Sequence, residues 1–349
     1  MPNARATHPT RRGILAAGGA LGLGTALAAC KGGERGSASS GKAVKSGTPG
    51  RPWSFKDDRG TTVKLDSTPA DIVAFTGVAA ALYDYGVQAK GVFGPTKTRG
   101  GKPDVQAGDM DLSKVTVLGN AWGQFNVEKY AALAPDVLIT TTFDDAGTLW
   151  YVPEKSRDEI TKLAPSVAVS VYDRQLPVPL QRMWDLAESL GGEMTATEAT
   201  DARKRFEDAA ARLRAAAKAR PDIRVMAGSA SEQLFYVSGS NLSADLEYFK
   251  ALGVNFVEPT ERAKAGSGGW YESLSWENVD KYQADVIMMD DRSSTLQPAD
   301  ITKATWRKLP AVKAGQIISR SPEPILSYDK CVPLLTGLAE ALEKAKKLR

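Results

Sequence analysis

The chain of 349 residues contains one histidine, His8, and two cysteines, Cys30 and Cys331. His8 lies in a predicted leader peptide, so the chain after the leader has no histidine to ligate zinc, manganese or haem, or to serve as the base of a Ser-His or Cys-His pair. The sequence also lacks a G-x-S-x-G motif, a P-loop and a G-x-G-x-x-G turn that opens a helix. These absences argue against the common hydrolases, nucleotide-binding enzymes and histidine-ligated metalloproteins.

The charge of the chain is nearly balanced. The formal net charge of +4 includes Arg5, Arg11 and Arg12 of the leader, and their removal would bring the chain close to neutrality. A near-neutral chain has no electrostatic attraction to nucleic acid, so no nucleic-acid partner is expected. Asp144-Asp145 and Asp290-Asp291 follow predicted strands, which leaves a lipid-anchored α/β enzyme that uses carboxylates as an alternative.

The first 29 residues have the pattern of a secretory signal peptide. Arg11-Arg12 precedes a Gly-, Ala- and Leu-rich run that is short for a membrane span, and the paired arginines resemble a twin-arginine export motif. Leu27-Ala28-Ala29-Cys30 resembles the bacterial lipobox, which implies a lipidated Cys30 and an extracytoplasmic protein anchored to the cell membrane. Residues 30–52 are then a flexible tether. Cys331 has no disulfide partner and is expected to be a packed core residue.

The longest predicted helix runs from Thr195 to Arg220. It is rich in Ala, Arg, Lys and Glu, it contains no glycine, and Pro221 closes it. Similar sequences lie on both sides of this helix, at residues 125–140 and 276–290. Each carries a Glu in a short helix, a Lys-Tyr pair, a small residue, an Asp and a β-rich apolar run. One supersecondary unit is therefore used twice, which predicts two similar lobes.

The apolar strand that follows each short helix is typical of a parallel sheet buried on both faces. The predicted fold class is therefore α/β: two lobes with central, mainly parallel sheets, joined by a single long rigid helix, with a ligand cleft between the lobes. The predicted divisions are a signal peptide at 1–29, the lipidated cysteine and tether at 30–52, an N-terminal lobe at 53–194, the interlobe helix at 195–220 and a C-terminal lobe at 221–349.

The order of short motifs along the chain resembles a known family, the ferric-siderophore and vitamin B12 class of ABC-transporter substrate-binding lipoproteins (periplasmic-binding-protein class III). Within that class it is most similar to hydroxamate siderophore binders of Gram-positive bacteria. The motifs, in chain order, are Pro69-x-x-Ile72-Val73, a helix ending in Gly86-Val87, Val117-Leu118-Gly119, Asn126-x-Glu128, Ala134-Pro135-Asp136-Val137, and Trp306 with Leu309-Pro310-Ala311-Val312.

Aromatic residues collect in loops after the predicted strands, where no periodic pattern would bury them. Trp122 stands where the family can have an arginine, so Arg292 is the expected positive group, with Arg99 and Arg174 as alternatives. The expected ligand-binding residues are Trp122, Trp150, Tyr151, Tyr236, Trp270, Tyr271, Arg292 and Tyr328.

The resemblance implies extracytoplasmic binding of a ferric siderophore, of hydroxamate type, and its delivery to an ABC permease and its ATPase for iron uptake. It implies a monomer with no catalytic residue, no metal ligand and no cofactor of its own, because the siderophore supplies the iron ligands. Cobalamin or haem is the alternative ligand. The family also places one permease-docking glutamate on each lobe, and Glu128 and Glu277 fall on that motif.

Overall fold

The computed structural model describes residues 50–261 and 269–348 of the chain. The predicted signal peptide, Cys30 and the predicted tether up to residue 49 lie outside the described residues, as do residues 262–268. The first described elements are β1 (Trp53–Lys56) and β2 (Thr62–Leu65), which pair as an antiparallel hairpin. Trp53, Phe55 and Val63 are buried on one face of this hairpin, as the alternation of apolar and polar residues predicts.

The N-terminal lobe is built on a parallel sheet. Its elements are β3 (Ile72–Phe75), α1 (Thr76–Asp84), β4 (Gly91–Phe93), β5 (Thr116–Gly119), α2 (Val127–Leu133), β6 (Val137–Thr142), α3 (Arg157–Leu163), β7 (Ser166–Ser170) and α4 (Pro177–Ser189). The strand order is β5-β4-β3-β6-β7, and every pair is parallel. The central strands β3 and β6 are buried along their whole length, as continuous apolar strands in a covered sheet should be.

The interlobe helix α5 (Thr197–Ala219) agrees closely with the predicted helix. Its apolar stripe, which includes Phe206 and Leu213, is buried, and the rest of its surface is charged. After it come β8 (Arg224–Ala230), β9 (Leu234–Ser238), α6 (Ala244–Ala251), β10 (Asn255–Phe256), β11 (Tyr271–Ser275), β12 (Val286–Asp290), α7 (Ala304–Lys308), α8 (Pro310–Lys313), β13 (Ile317–Arg320) and α9 (Tyr328–Lys344).

The sheet of the C-terminal lobe is mixed. Its strand order is β11-β9-β8-β12-β13, with β10 paired to one end of β8. The pairs of β8, β12 and β13 are parallel, whereas β9 pairs antiparallel with both β8 and β11. The repeated unit of the sequence supplies β6 in the first sheet and β12 in the second, and each is an inner strand.

One apolar core joins the two lobes. It contains Ile72 and Leu138 from the first sheet, Leu213 from α5, and Val225 and Met288 from the second sheet. Helix α9 lies along α5, and Arg212 of α5 pairs with Glu343 of α9 at 2.7 Å. Because apolar side chains of both lobes share this core, separating the lobes would expose it to water.

Helix α9 begins earlier than the sequence predicts. The sequence predicts the C-terminal helix over residues 333–347, whereas α9 spans Tyr328–Lys344. In the structure Ser327 caps the helix, its hydroxyl accepting a hydrogen bond from the Lys330 amide, and Pro333 lies inside it. The cap and the burial of Tyr328 and Cys331 fix the first turn, which a periodicity argument starting from Pro333 cannot detect.

Candidate functional site

A cavity of about 570 Å³ lies at the carboxyl ends of β6, β12 and β13, and we call it the main cavity. Ligands of open α/β sheets commonly bind at this edge. Residues of both lobes contribute to its wall. They are Phe143, Asp144 and Trp150 from the N-terminal lobe, and Ser229, Tyr236, Ser238, Gly239, Ser243, Trp270, Tyr271, Asp290, Arg292, Arg320, Pro322 and Glu323 from the C-terminal lobe.

Aromatic rings form two groups in the wall. The ring centroids of Phe143 and Trp150 are 4.4 Å apart, and those of Tyr236 and Tyr271 are 5.0 Å apart. The ring centroid of Trp270 lies 6.1 Å from those of both Phe143 and Tyr172. This side chain of the C-terminal lobe therefore contacts two aromatic residues of the N-terminal lobe. Such faces suit the alkyl parts of a ligand, and the indole and phenol groups can donate hydrogen bonds.

Arg292 lines the main cavity and is paired with two carboxylates. Its Nε and Nη2 donate to Asp290, at 3.0 and 2.6 Å for the shortest contacts, and its Nη1 donates to Glu323. Burial alone would lower the pKa of this guanidinium, but Glu323 and Asp290 raise it above its ordinary value. Arg292 therefore stays charged, with its charge compensated on two sides.

Glu323 connects the two lobes. Besides Arg292, its carboxylate accepts hydrogen bonds from Gln106 Nε2 at 2.7 Å and from Trp150 Nε1 at 3.1 Å, both in the N-terminal lobe. It lies in the Ser321-Pro322-Glu323-Pro324 segment between β13 and α9 and is 7% exposed. The arrangement fixes the Trp150 ring and the Arg292 guanidinium relative to each other.

A second arginine lines the same cavity. Arg320, the last residue of β13, donates from Nε to Asp245 at 2.8 Å and from Nη2 to Ser243 at 2.7 Å. Both members of the Arg320–Asp245 pair are almost completely buried. A buried charge needs such a partner because an unpaired one is strongly unfavourable.

Five of the eight predicted ligand-binding residues line the main cavity. They are Trp150, Tyr236, Trp270, Tyr271 and Arg292. Trp122 and Tyr151 are not part of this wall: the Trp122 ring packs edge-on against Trp150 and Tyr151 at 4.8 and 5.0 Å, and Trp122 is 61% exposed. Tyr151 is buried and stacks on Phe75 at 5.1 Å, so its ring belongs to the core of the N-terminal lobe.

Tyr328 lies away from the main cavity. It was expected in a loop, but it occupies the first turn of α9, where its ring packs 5.5 Å from Phe206 and 5.8 Å from Trp184. The two alternative arginines are also elsewhere. Arg99 is exposed in the loop after β4, and Arg174 lines a separate cavity of about 320 Å³.

Both predicted docking glutamates are exposed. Glu128 lies in the first turn of α2, whose start is capped by the Asn126 side chain accepting from the Lys129 amide at 2.8 Å. Glu277 lies in a one-turn 3₁₀ helix at residues 276–278. Hydrogen bonds from its own backbone N–H and from Ser275 lower the pKa of Glu277, so the carboxylate is charged at neutral pH.

Sequence reasoning missed Phe143, Tyr172, Arg320 and Glu323. Phe143 follows β6 directly and could have been found by the same strand-end rule as Trp150. Arg320 ends a strand, and a charged residue at that position could have indicated a cavity-facing group. Glu323 lies between two prolines in a segment with no periodicity, and its partners are distant in sequence, so no local signal reveals its role.

Within residues 50–261 and 269–348, no group of three or more His, Cys, Asp or Glu side chains is arranged to hold a metal ion. No helix in that part of the chain combines the length and the apolar character of a membrane span.

Comparison with known proteins gives a family and several similar structures. Residues 72–324 match the model of a family described as periplasmic binding protein. The crystal structure of DesE, a ferric-siderophore receptor protein from Streptomyces coelicolor, is 76% identical with a TM-score of 0.84 and covers 85% of this chain and 100% of its own.

Two more distant structures share the fold. FeuA from Bacillus subtilis, complexed with ferri-bacillibactin, is 20% identical (TM-score 0.60; 85% of this chain and 99% of its own). SirA from Staphylococcus aureus, complexed with staphyloferrin B, is also 20% identical (TM-score 0.58; 84% and 99%). A comparison with curated protein sequences found no match. The family match covers most of the chain, so this protein belongs to the periplasmic binding protein family.

Proposed function

We propose that this protein binds a ferric siderophore in the main cavity, outside the cytoplasm, and delivers it to an ABC permease for iron uptake. Family membership and the similarity to DesE over the whole length of that receptor carry the proposal. The relatives are binding proteins, and the main cavity has the two-lobed wall that a binding protein of this fold uses.

The wall of the main cavity favours a siderophore of hydroxamate type. A ferric tris-hydroxamate is uncharged, with oxygen atoms around the iron and alkyl chains between the chelating groups. Trp150, Trp270 and Phe143 offer apolar faces to the alkyl chains. Tyr236, Tyr271 and Arg320 offer hydroxyl and guanidinium donors to iron-bound oxygens. The chelator supplies all the iron ligands, so the protein needs to provide none.

The test is titration of the purified protein with a ferric tris-hydroxamate and its gallium analogue, followed by tryptophan fluorescence and calorimetry. Both complexes should bind with similar affinity because they have the same charge and similar size. The ferric complex should quench Trp emission more strongly because it absorbs light by ligand-to-metal charge transfer. Cobalamin and haem are the comparison ligands, and tight binding of either, with no binding of the hydroxamate, would contradict the proposal.

A variant should identify the cavity as the site. Trp270→Ala removes an aromatic face that bridges the lobes and should weaken binding about tenfold, in the range for one buried aromatic contact. Trp184→Phe is the matched control, because Trp184 packs against Tyr85 and Tyr328 away from the cavity. Equal affinity in Trp270→Ala and wild type would remove Trp270 from the site.

We also propose that Cys30 carries the lipid anchor and that Glu128 and Glu277 dock the permease. The lipobox-like sequence before Cys30 supports the anchor. The exposure of both glutamates, one on each lobe, supports docking, since charges on a rigid body orient a partner more than they add affinity. In this proposal the protein acts as a monomer.

A further inference from the structure

The charges around the main cavity are unusual for a site that contains two arginines. Three carboxylates, those of Asp144, Asp290 and Glu323, share the wall with Arg292 and Arg320, and Asp245 pairs with Arg320 from behind. The carboxylates therefore outnumber the guanidiniums. An arginine in a binding cavity normally attracts an anionic ligand, but these two already have carboxylate partners.

The positive charge of Arg292 is paired with carboxylates on every side of its guanidinium group. Its Nε, Nη1 and Nη2 all donate to carboxylates, and Asp290 and Glu323 are themselves only 1% and 7% exposed. Each oxygen of Glu323 has a partner, because one faces Arg292 Nη1 and the other accepts from Gln106 and Trp150. Neither carboxylate can turn away toward water without leaving buried donors unpaired.

We infer that Asp290 and Glu323 determine the charge of the ferric complex that this protein accepts, by neutralising Arg292 and thereby excluding anionic complexes. The inference rests on the proposed function and makes it more specific. A trianionic ferric tris-catecholate would enter a cavity whose fixed charges are net negative, and repulsion in a partly desolvated site is poorly screened. An uncharged ferric tris-hydroxamate avoids that repulsion.

Glu323→Gln is the informative substitution because it changes charge with little change in shape. The amide oxygen of Gln can still accept from Gln106 and Trp150, while its NH₂ group faces the Nη1 donor of Arg292. Two donors repel, so the guanidinium loses one anionic partner and turns Nη1 toward the cavity. Asp290→Asn is a second variant that acts on the same guanidinium and retains an oxygen for the Arg292 amide.

The experiment measures the dissociation constants of a neutral ferric tris-hydroxamate and a trianionic ferric tris-catecholate for the wild type and for both variants. The wild type should prefer the neutral complex by about 100-fold or more. Each variant should shift that ratio toward the trianion by about tenfold, and added salt should reduce the shift. Glu159→Gln is the control: Glu159 is an exposed residue of α3 that does not line the cavity, so loss of its charge should leave the ratio unchanged.

The outcomes separate the alternatives. If the carboxylates only position Arg292 to hold the ligand, both variants should lose affinity for both complexes with no change in the ratio, and the inference is wrong. If a steric block excludes the catecholate, these isosteric changes should leave the ratio of dissociation constants unchanged, and that result would also overturn the inference. A wild type that binds both complexes equally would overturn it too. A folded wild type that binds neither ferric complex would instead refute the proposed function.

If Glu323→Gln fails to fold, as judged by its melting transition, Asp290→Asn and the wild-type ratio still decide the question.

Discussion

The contact between α1 and α9 predicts that the stability of the protein depends on pH through Asp84. Asp84 ends α1, and one of its carboxylate oxygens accepts a hydrogen bond from the Ser327 hydroxyl at 2.5 Å. Lys330 Nζ lies 3.9 Å from the other oxygen and also contacts Asp109 and Asp329. Burial raises the pKa of Asp84 from 3.8 to about 6, although Ser327 and Lys330 oppose that shift.

The sign and the size of the effect follow from this shift. Between pH 4 and pH 6 the folded protein binds a proton at Asp84 that the unfolded chain releases, so the contribution of Asp84 to stability falls as the pH rises. A difference of about two pKa units corresponds to roughly 3 kcal/mol. Asparagine resembles the protonated carboxyl. The unfolding free energy of Asp84→Asn minus that of wild type should therefore increase by about 2 to 3 kcal/mol from pH 4 to pH 7.5.

Urea unfolding followed by Trp fluorescence at several pH values between 4 and 7.5 measures this difference. Asp109→Asn is the matched control, because Asp109 contacts the same Lys330 but its side chain is 75% exposed. Its difference from wild type should change by less than about 1 kcal/mol, as is typical of exposed ion pairs. An Asp84→Asn variant whose difference from wild type stays constant across this range would refute the reasoning.

Three further results are expected. Cys30→Ser should move the protein from the membrane to the soluble fraction, and a variant that stays with the membrane would exclude the anchor. Glu128→Ala combined with Glu277→Ala should abolish iron uptake while siderophore affinity and melting temperature stay near wild type; surviving uptake, or lost binding, would exclude a docking role. Arg320→Met leaves Asp245 buried without its cation and should lower the unfolding free energy by about 3 to 5 kcal/mol. Adding Asp245→Asn should restore much of this loss, and no recovery would mean that packing rather than charge is responsible.

The fold could be predicted in outline because its signals are local and repeated. The unit that ends in β6 recurs in the unit that ends in β12, and both strands are buried inner strands of their sheets. The helix from Thr195 to Arg220 was found to within two residues at each end. The antiparallel pairing of β9 could not be predicted, because strand direction depends on partners that the local sequence does not specify.

The candidate site could be predicted only where strand ends carry large aromatic or charged residues. Trp150 and Arg292 were predicted in this way and line the main cavity. Trp270, which was predicted from its glycine-rich loop and from the family resemblance, lines it as well. The same rule failed for Tyr328, since the helix that buries it begins earlier than its composition suggests. It also could not identify Glu323 as a partner of Arg292, because a prediction of position contains no information about which distant carboxylate will meet a guanidinium.

Contacts between the two lobes limit how far the lobes can move relative to each other when a ligand binds. Three features connect the N-terminal lobe to α9 or to the segment before it. They are the apolar core shared by both lobes, the Asp84–Ser327 hydrogen bond, and the hydrogen bonds that Glu323 accepts from Gln106 and Trp150. A hinge motion of the lobes would have to break several of these contacts at once. Breaking the core would expose apolar side chains to water, and breaking the hydrogen bonds would leave buried polar groups unpaired. The main cavity is therefore largely formed before a ligand enters, which favours recognition by shape and charge over recognition by closure. In such a protein the charge of the wall acts at the first encounter, so Asp290 and Glu323 would discriminate between ferric complexes before any rearrangement occurs.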